Sequence, residues 1–146
     1  MDPLRPDKTY EAGSRDFLAF RLADTYLMLA EAQLMTSKKA DALKNINLVR
    51  RRAAWPGKEA AMEITEAQLT FDFLMEERGR ELMGEQTRWL DLKRWGNLVD
   101  RAKKYNTDAA ANIKETHNLR PIPQTQIDRS EKGSDGGSVF PQNPGY

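Results

Sequence analysis

A long apolar run near the start of the sequence constrains the fold of this chain more than any other feature. The run, "FLAFRLADTYLMLAEAQLM", covers residues 17–35 and repeats its apolar residues at helical spacing. One side of that helix carries Leu18, Leu22, Tyr26 and Leu29, and another side carries Phe20, Ala23, Leu27, Ala30 and Leu34. A helix that is apolar on more than one side packs between neighbouring elements. The run therefore predicts a scaffold helix that is covered by others.

A second helix follows after a short polar turn. The segment "ADALKNINLVRRRAA" has a narrower apolar stripe through Leu43, Ile46 and Val49, and only "TSKK" separates it from the first helix. Such a short connection predicts an antiparallel helical hairpin. Ala30 and Ala42 are small residues where the two helices would cross, which is the spacing of a tetratricopeptide-type hairpin. Hairpins of this type bury their faces by stacking on one another, so at least about three are normally needed for a stable core.

The rest of the chain predicts shorter helices and an irregular end. Thr65 and Gln68 match a capping box, from which a third helix would run to Met83, with Gly84 as a weak stop. A further helix over residues 86–95 would end at Gly96, and a short one would begin at Pro123. No segment alternates like a strand. The expected fold is all-α: a tetratricopeptide-like hairpin, further helices, and an irregular C-terminal strap.

The length of 146 residues predicts a single domain over residues 1–146. Within it we expect an irregular lead-in over residues 1–16, a helical scaffold over 17–104, and short helices with a loop-rich tail over 105–146. The tail includes "SEKGSDGGSVF", which has the composition of a variable insert around residues 131–140.

Composition and charge argue against several classes of function. The net charge is +1 and there is no cysteine, so thiolate chemistry is excluded, and no broad basic surface indicates nucleic-acid binding. The run "RRR" at residues 50–52 ends a helix, where cations complement the helix dipole. The single histidine, His117, lies in a polar stretch, so no metal site or cofactor is expected. No apolar run approaches the roughly 18 residues of a membrane-spanning helix.

The densest stretch of the chain is "ERGRELMGEQTRWLDLKRWG" at residues 77–96. Its acids and bases alternate at helical spacing, which predicts a network of ion pairs on helix faces. The tryptophans lie among leucines, which favours packing. We interpret the stretch as a structural joint made of Arg78, Arg80, Glu81, Glu85, Arg88, Trp89, Asp91, Arg94 and Trp95. The alternative is a pair of catalytic carboxylates within residues 76–91, as in glycoside hydrolysis.

Trp55 is the aromatic residue best placed for ligand binding. It follows the second helix and precedes Pro56 and Gly57, which predicts a loop position. An exposed indole offers a flat apolar face on which a sugar ring could stack. The alternative role for Trp55 is a hydrophobic contact that caps the end of the second helix.

Three motifs in order give the sequence a resemblance to a known family. The motifs are "FRLADTYLMLAEAQL…ADALKNINLVRRRA", "FLMEERGRELMGEQTRWLDLKRWG" and "LRPIPQTQID…QNPGY". Together they resemble the C-terminal region of the SusD/RagB family over roughly residues 17–146. The chain departs from the family pattern at Gly79, where a larger and usually basic residue is common, and at Gly84.

The resemblance implies a function without catalysis. Members of the family are all-α lipoproteins of the Gram-negative outer membrane, exposed at the cell surface, that bind glycans or other nutrients. They work with a TonB-dependent transporter of the SusC type. The resemblance implies that this chain is a C-terminal fragment, and that the lipid anchor and most of the ligand site lie in the missing N-terminal part. No ligand-binding residue can be carried over by motif.

Three hypotheses follow from the sequence. The leading one is a non-catalytic scaffold and binding portion of a surface glycan-binding lipoprotein. The second is a helical-repeat adaptor for other proteins, which a tetratricopeptide-like hairpin alone would equally support. The third, and least favoured, is a glycoside hydrolase that uses the carboxylates of residues 76–91.

Overall fold

The computed structural model describes residues 19–134, 136–137 and 139–146. The predicted lead-in over residues 1–16 lies outside the described residues. Within the described part there are eight α-helices and one 3₁₀ helix, and no strand. The helices are α1 Leu22–Met35, α2 Lys39–Arg52, α3 Glu59–Met62, α4 Phe71–Glu81, α5 Arg88–Arg94, α6 Leu98–Tyr105, α7 Thr107–Ala110 and α8 Gln124–Arg129, with the 3₁₀ helix at Glu115–Asn118. The prediction of an all-α fold is confirmed.

The chain divides into two compact units, with the boundary between Arg88 and Trp89. The expectation that residues 1–146 act as one domain stays a prediction.

The first unit is built on the α1–α2 hairpin. The two helices pack along each other, and Ala30 and Ala42, the small residues predicted at their crossing, are both fully buried. Leu27 and Ile46 fill the space beside them. The chain reverses at Ser37, whose backbone lies in the left-handed region at φ 62°. The hairpin is therefore closed by a tight turn, as the short polar connection predicted.

Helix α4 packs on α1 and closes the core of the first unit. Leu69 and Leu74 are almost completely buried in the same cluster as the hairpin residues. The predicted start of this helix at Thr65 is wrong. Thr65 and Gln68 do bond to each other, with the Thr65 N–H donating to Gln68 Oε1 at 2.9 Å, but they close a separate turn. The helix begins at Phe71, and the side chain of Thr70 accepts the N–H of Phe73 at 3.0 Å as its N-cap.

Two other differences concern the start of the first helix and an additional short helix. The predicted first helix was to begin at residue 17, whereas α1 begins at Leu22 and residues 19–21 are not helical. The short helix α3 was not predicted, because its four residues follow a Pro-Gly turn and are too few to show a period. Gly84 (φ +83°) and Gly96 (φ +69°) both take left-handed backbone conformations beyond α4 and α5. These positions act as the predicted stops.

The second unit is smaller and has more loop. Helix α6 packs on α7 and on the 3₁₀ helix, and the buried apolar residues are Leu92, Leu98, Val99 and Ile127. Asn106 caps α7 by accepting the N–H groups of Asp108 and Ala109. The predicted short helix at Pro123 is present as α8.

The tail of the second unit forms the strap that the sequence predicted. Gln142 exchanges two hydrogen bonds with the backbone of Ile122, at 2.7 and 2.8 Å. The hydroxyl of Tyr146 donates to the carbonyl of Leu119 at 2.8 Å. The strap thereby supplies partners to an extended segment that has no helical hydrogen bonds of its own.

Candidate functional site

The charged stretch at residues 77–96 begins with a buried ion pair. Arg78 and Asp24 lie 2.9 Å apart, and their side chains are 3% and 8% exposed. Asp24 is on α1 and Arg78 is on α4, so the pair joins two helices. Burying two charges is costly unless they meet in good geometry, and removing one of them leaves the other uncompensated. The pair therefore strongly constrains how α4 sits on α1.

A second group of charges surrounds Glu81 at the end of α4. Arg21, just before α1, contacts the Glu81 carboxylate at 2.5 Å and the Glu85 carboxylate at 2.7 Å. Arg52, at the end of α2, also contacts Glu81. The hydrogen bond to Glu81 raises the pKa of Arg21 above its ordinary value, and partial burial opposes this shift. The Glu81 carboxylate thus links the residue before α1 to the last residue of α2.

A third group lies one turn earlier on α4. Glu77 is buried and accepts from Arg50 at 2.6 Å and from Arg80 at 2.9 Å. The guanidiniums of Arg50 and Arg80 also lie over the ring of Phe73, at 5.5 and 5.3 Å from its centroid. Arg50 additionally donates to the carbonyl of Met62 at 2.6 Å. Cations over an aromatic ring are favourable contacts that add to the ion pairs.

Arg88 is the last predicted joint residue of the first unit. Its guanidinium donates to the carbonyl of Met75 at 2.8 Å. It passes close to Gly79, where a methyl group would lie 3.2 Å from Arg88 Nη1. Gly79 therefore leaves room for this side chain against α4.

The second unit holds the remaining predicted joint residues. Asp91 is buried and pairs with Arg94 at 3.1 Å. The Arg94 guanidinium lies 4.7 Å from the centroid of Trp95. Trp89 has the guanidinium of Arg120 at 5.3 Å from its ring centroid. Asp91 and Arg94 are thus three residues apart on one helix, whereas Trp89 contacts a residue far along the chain.

Trp55 lies in the loop after α2 with its side chain 83% exposed. A turn holds the loop, since the N–H of Lys58 donates to the Trp55 carbonyl at 2.9 Å. Glu59 accepts the N–H of Gly57 at 3.1 Å, and such backbone hydrogen bonds lower the pKa of the Glu59 carboxyl below its ordinary value. The indole is thus presented on an ordered turn, and it does not pack as a cap on the end of α2.

A depression of about 300 Å³ lies beside the end of α4, with Arg78 and Arg88 in its lining. Three further surface depressions could accept a ligand. One of about 470 Å³ lies along α2 and is lined by Leu43, Lys44, Asn47, Leu48, Arg51 and Glu63. A second, about 300 Å³, lies between the start of α1 and the end of α2. A third, about 200 Å³, is in the second unit and is lined by Trp89, Ala109, Asn112, Ile113 and His117.

The geometry gives little support to catalysis by the carboxylates. Glu77, Glu81 and Asp91 each contact a guanidinium at 3.1 Å or less, so their oxygens are engaged in structural ion pairs. A glycosidase needs one carboxyl group that keeps a proton to give to the leaving group. Among the described residues there is no cluster of acids and histidine suited to a metal ion, and no helix long and apolar enough to span a membrane.

Comparison with known proteins decides the family. A sequence model of the SusD family matches residues 6–146. The chain belongs to the SusD family. A SusD-like protein, P25 of Formosa agariphila, is 35% identical to it over 113 residues, which cover 75% of this chain and 21% of that relative. This SusD-family chain therefore spans about a fifth of the length of the relative that it matches. No solved structure matches the chain.

Several partners in the charged network were not predicted from the sequence. Arg21, Asp24, Arg50 and Arg52 contact α4 from the hairpin, and contacts of that kind have no fixed spacing in the sequence. One signal was available for Asp24, because an acid inside a helix that is apolar on several sides needs a buried partner.

Proposed function

We propose that this chain is the scaffold portion of a non-catalytic, glycan-binding protein that works in polysaccharide uptake at the surface of the outer membrane. The match to the SusD family over residues 6–146 carries this proposal. The resemblance of the three sequence motifs to surface nutrient-binding lipoproteins supports the same role. In this proposal the partner is a SusC-like TonB-dependent transporter, and the ligand is an oligosaccharide or polysaccharide.

The charged network supports the scaffold part of the proposal. Its carboxylates are engaged by guanidiniums from other helices, and such charge-assisted contacts hold two helices in a fixed geometry. We propose that the nine residues named from the sequence, extended by Asp24, Arg21, Arg50 and Arg52, act structurally. Trp55 stays a candidate ligand contact, because its indole is exposed on an ordered turn.

The hairpin supports the idea that further helical elements cover it in the full-length protein. Leu22, Leu29 and Met35 of α1 are 66%, 46% and 70% exposed, although the helix is apolar on several sides. Hairpins of tetratricopeptide type bury such faces by stacking on further repeats. The relative P25 has about four-fifths of its length outside the aligned region, so a long chain is available in the family to supply them.

The proposal is tested with the full-length gene product. We expect it to bind a polysaccharide in titration calorimetry without cleaving it, to be accessible to protease on intact cells, and to copurify with an outer-membrane transporter. Release of new reducing ends, abolished by Glu81→Ala in a protein that stays folded, would contradict the proposal. Copurification with soluble helical proteins and no polysaccharide binding would favour the adaptor hypothesis instead.

A further inference from the structure

The smallest of the three depressions has the chemical character of a sugar site. It lies entirely in the second unit, where α5, α7 and the 3₁₀ helix contribute one wall each. Ala109 and Ile113 make the depression apolar, and the half-buried indole of Trp89 forms another part of its wall. Pyranose rings present apolar C–H faces that pack on flat aromatic surfaces, because the contact removes apolar area from water.

The indole of Trp89 is contacted by the side chain of Arg120. The guanidinium of Arg120 lies 5.3 Å from the ring centroid, at the distance of a cation–π contact. The backbone of Arg120 is fixed in turn, since its carbonyl accepts from the side chain of Asn143 at 2.7 Å. A ring that is already immobilised loses little conformational entropy when a ligand packs on it.

His117 supplies an imidazole nitrogen at the depression. Its Nδ1 lies 2.9 Å from the backbone nitrogen and 3.2 Å from the carbonyl oxygen of Lys114, so the backbone engages this atom. Nε2 is the ring nitrogen that can bond to a sugar hydroxyl, which both donates and accepts. The ring is also placed by an edge contact with Tyr146, with centroids 6.4 Å apart. The strap therefore positions His117 as well as Trp89.

Asn112 completes the rim with a side-chain amide that is exposed to solvent. An amide offers a donor and an acceptor side by side, and a pair of neighbouring hydroxyls can satisfy both at once. Among the described residues that line this depression, none carries a carboxylate, ammonium or guanidinium group, which suits a neutral ligand.

The other two depressions fit such a ligand less well. The largest has Lys44, Arg51 and Glu63 in its lining, and Arg51 and Glu63 are paired across 3.0 Å. The second has Arg21 and Arg52, both bound to Glu81. A neutral sugar would have to compete with these ion pairs for hydrogen bonds.

We propose that Trp89, besides its place in the structural joint, forms with Asn112 and His117 a depression that binds one pyranose ring of a neutral glycan. This inference rests on the proposed function and names a subsite within this chain. Because the depression is shallow and takes a single ring, the expected dissociation constant for a monosaccharide is in the millimolar range. The subsite would add to the affinity for a longer glycan that is also held elsewhere in the full-length protein.

The test uses the whole 146-residue chain and the methyl glycosides of glucose, galactose and mannose as probes. Saturation-transfer NMR is expected to show contact with the C–H face of at least one of them, and the Trp89 indole N–H is expected to shift on titration. Asn112→Ala removes the amide without disturbing buried groups, and we expect it to weaken binding about fivefold, as for the loss of one hydrogen bond. His117→Ala is a second variant with the same expectation.

The matched control is Asn118→Ala. Asn118 is in the same 3₁₀ helix as His117, but its side chain bonds to Glu115 and does not line the depression. This control is not expected to change the dissociation constant. The proposal is overturned if no probe binds, if binding shifts only Trp55, or if folded Asn112→Ala binds as the parent does. Polysaccharide binding by the full-length protein that persists in Asn112→Ala would overturn the subsite alone, whereas a full-length protein that binds no polysaccharide would overturn the function.

Discussion

At the scale of single residues, the pair of Asp24 and Arg78 is the most consequential contact in the first unit. Both side chains are more than nine-tenths buried. Without its partner, each side chain would be a buried unpaired charge. The free-energy cost of such a charge exceeds the stability that an exposed ion pair contributes. Arg78 was predicted from the sequence as part of a joint, but its partner was not. The two residues are 54 positions apart, and no spacing rule in a single sequence predicts a contact over that separation.

Removing one charge of this pair is expected to destabilise the chain strongly. Arg78→Ala should lower the free energy of unfolding by about 3–5 kcal/mol, because Asp24 is left buried with its charge uncompensated. Urea denaturation followed by circular dichroism measures the change. The control is Lys44→Ala, which breaks an exposed pair with Asp41 and should cost less than about 1 kcal/mol.

A double replacement distinguishes the charge effect from lost packing. Asp24→Leu combined with Arg78→Met removes both charges and keeps apolar volume, so most of the lost stability should return. If the double variant is as unstable as Arg78→Ala, the pair does not act through its charges.

At the scale of elements, helix α4 and the segment after it show what local rules can and cannot predict. The stops at Gly84 and Gly96 followed from residue type, because glycine adopts the left-handed backbone at low cost. The start of α4 did not follow, because Thr65 and Thr70 are both good caps and the choice between them depends on tertiary packing. Gly79, inside α4, had no local explanation. Its reason is the Arg88 guanidinium that passes against it.

Gly79 and Arg88 are therefore expected to be energetically coupled. Gly79→Ala should gain up to about 1 kcal/mol of helix propensity, but its methyl group would crowd Arg88 Nη1, which is bonded to the Met75 carbonyl. The gain should be larger in an Arg88→Ala background than in the parent. A double-mutant cycle on unfolding free energies measures this coupling, and equal gains in both backgrounds would show that Arg88 does not explain the glycine.

At the scale of the whole molecule, the candidate sites are formed by segments that are far apart in the sequence, and this limited their prediction. The single charged stretch was visible in the sequence and was interpreted as one joint, yet its halves lie in two compact units. The depression at Trp89 could not be predicted, because Asn112 and His117 reach it only through the turns between α7 and the 3₁₀ helix. The all-α class was predictable because helical periodicity is a local property.

The apolar outer face of α1 predicts how the isolated chain behaves in solution. Exposed Leu22 and Leu29 lie seven residues apart on one side of the helix, so the chain is expected to self-associate as its concentration rises. Leu29→Lys should reduce the mass measured by sedimentation equilibrium. Met83→Lys is the matched control, because Met83 is equally apolar and 83% exposed but lies outside the hairpin. A chain that stays monomeric up to high concentration would show that the exposed apolar residues of α1 do not cause self-association.

The position of Glu81 has an evolutionary consequence. Its single carboxylate contacts Arg21, just before α1, and Arg52, at the end of α2. Reversing the charges at positions 21 and 81 together would rebuild one contact but set two cations, at 52 and 81, against each other. No exchange of two residues preserves the arrangement, and Arg21 also contacts Glu85, so positions 21, 52, 81 and 85 are expected to vary among relatives together or not at all.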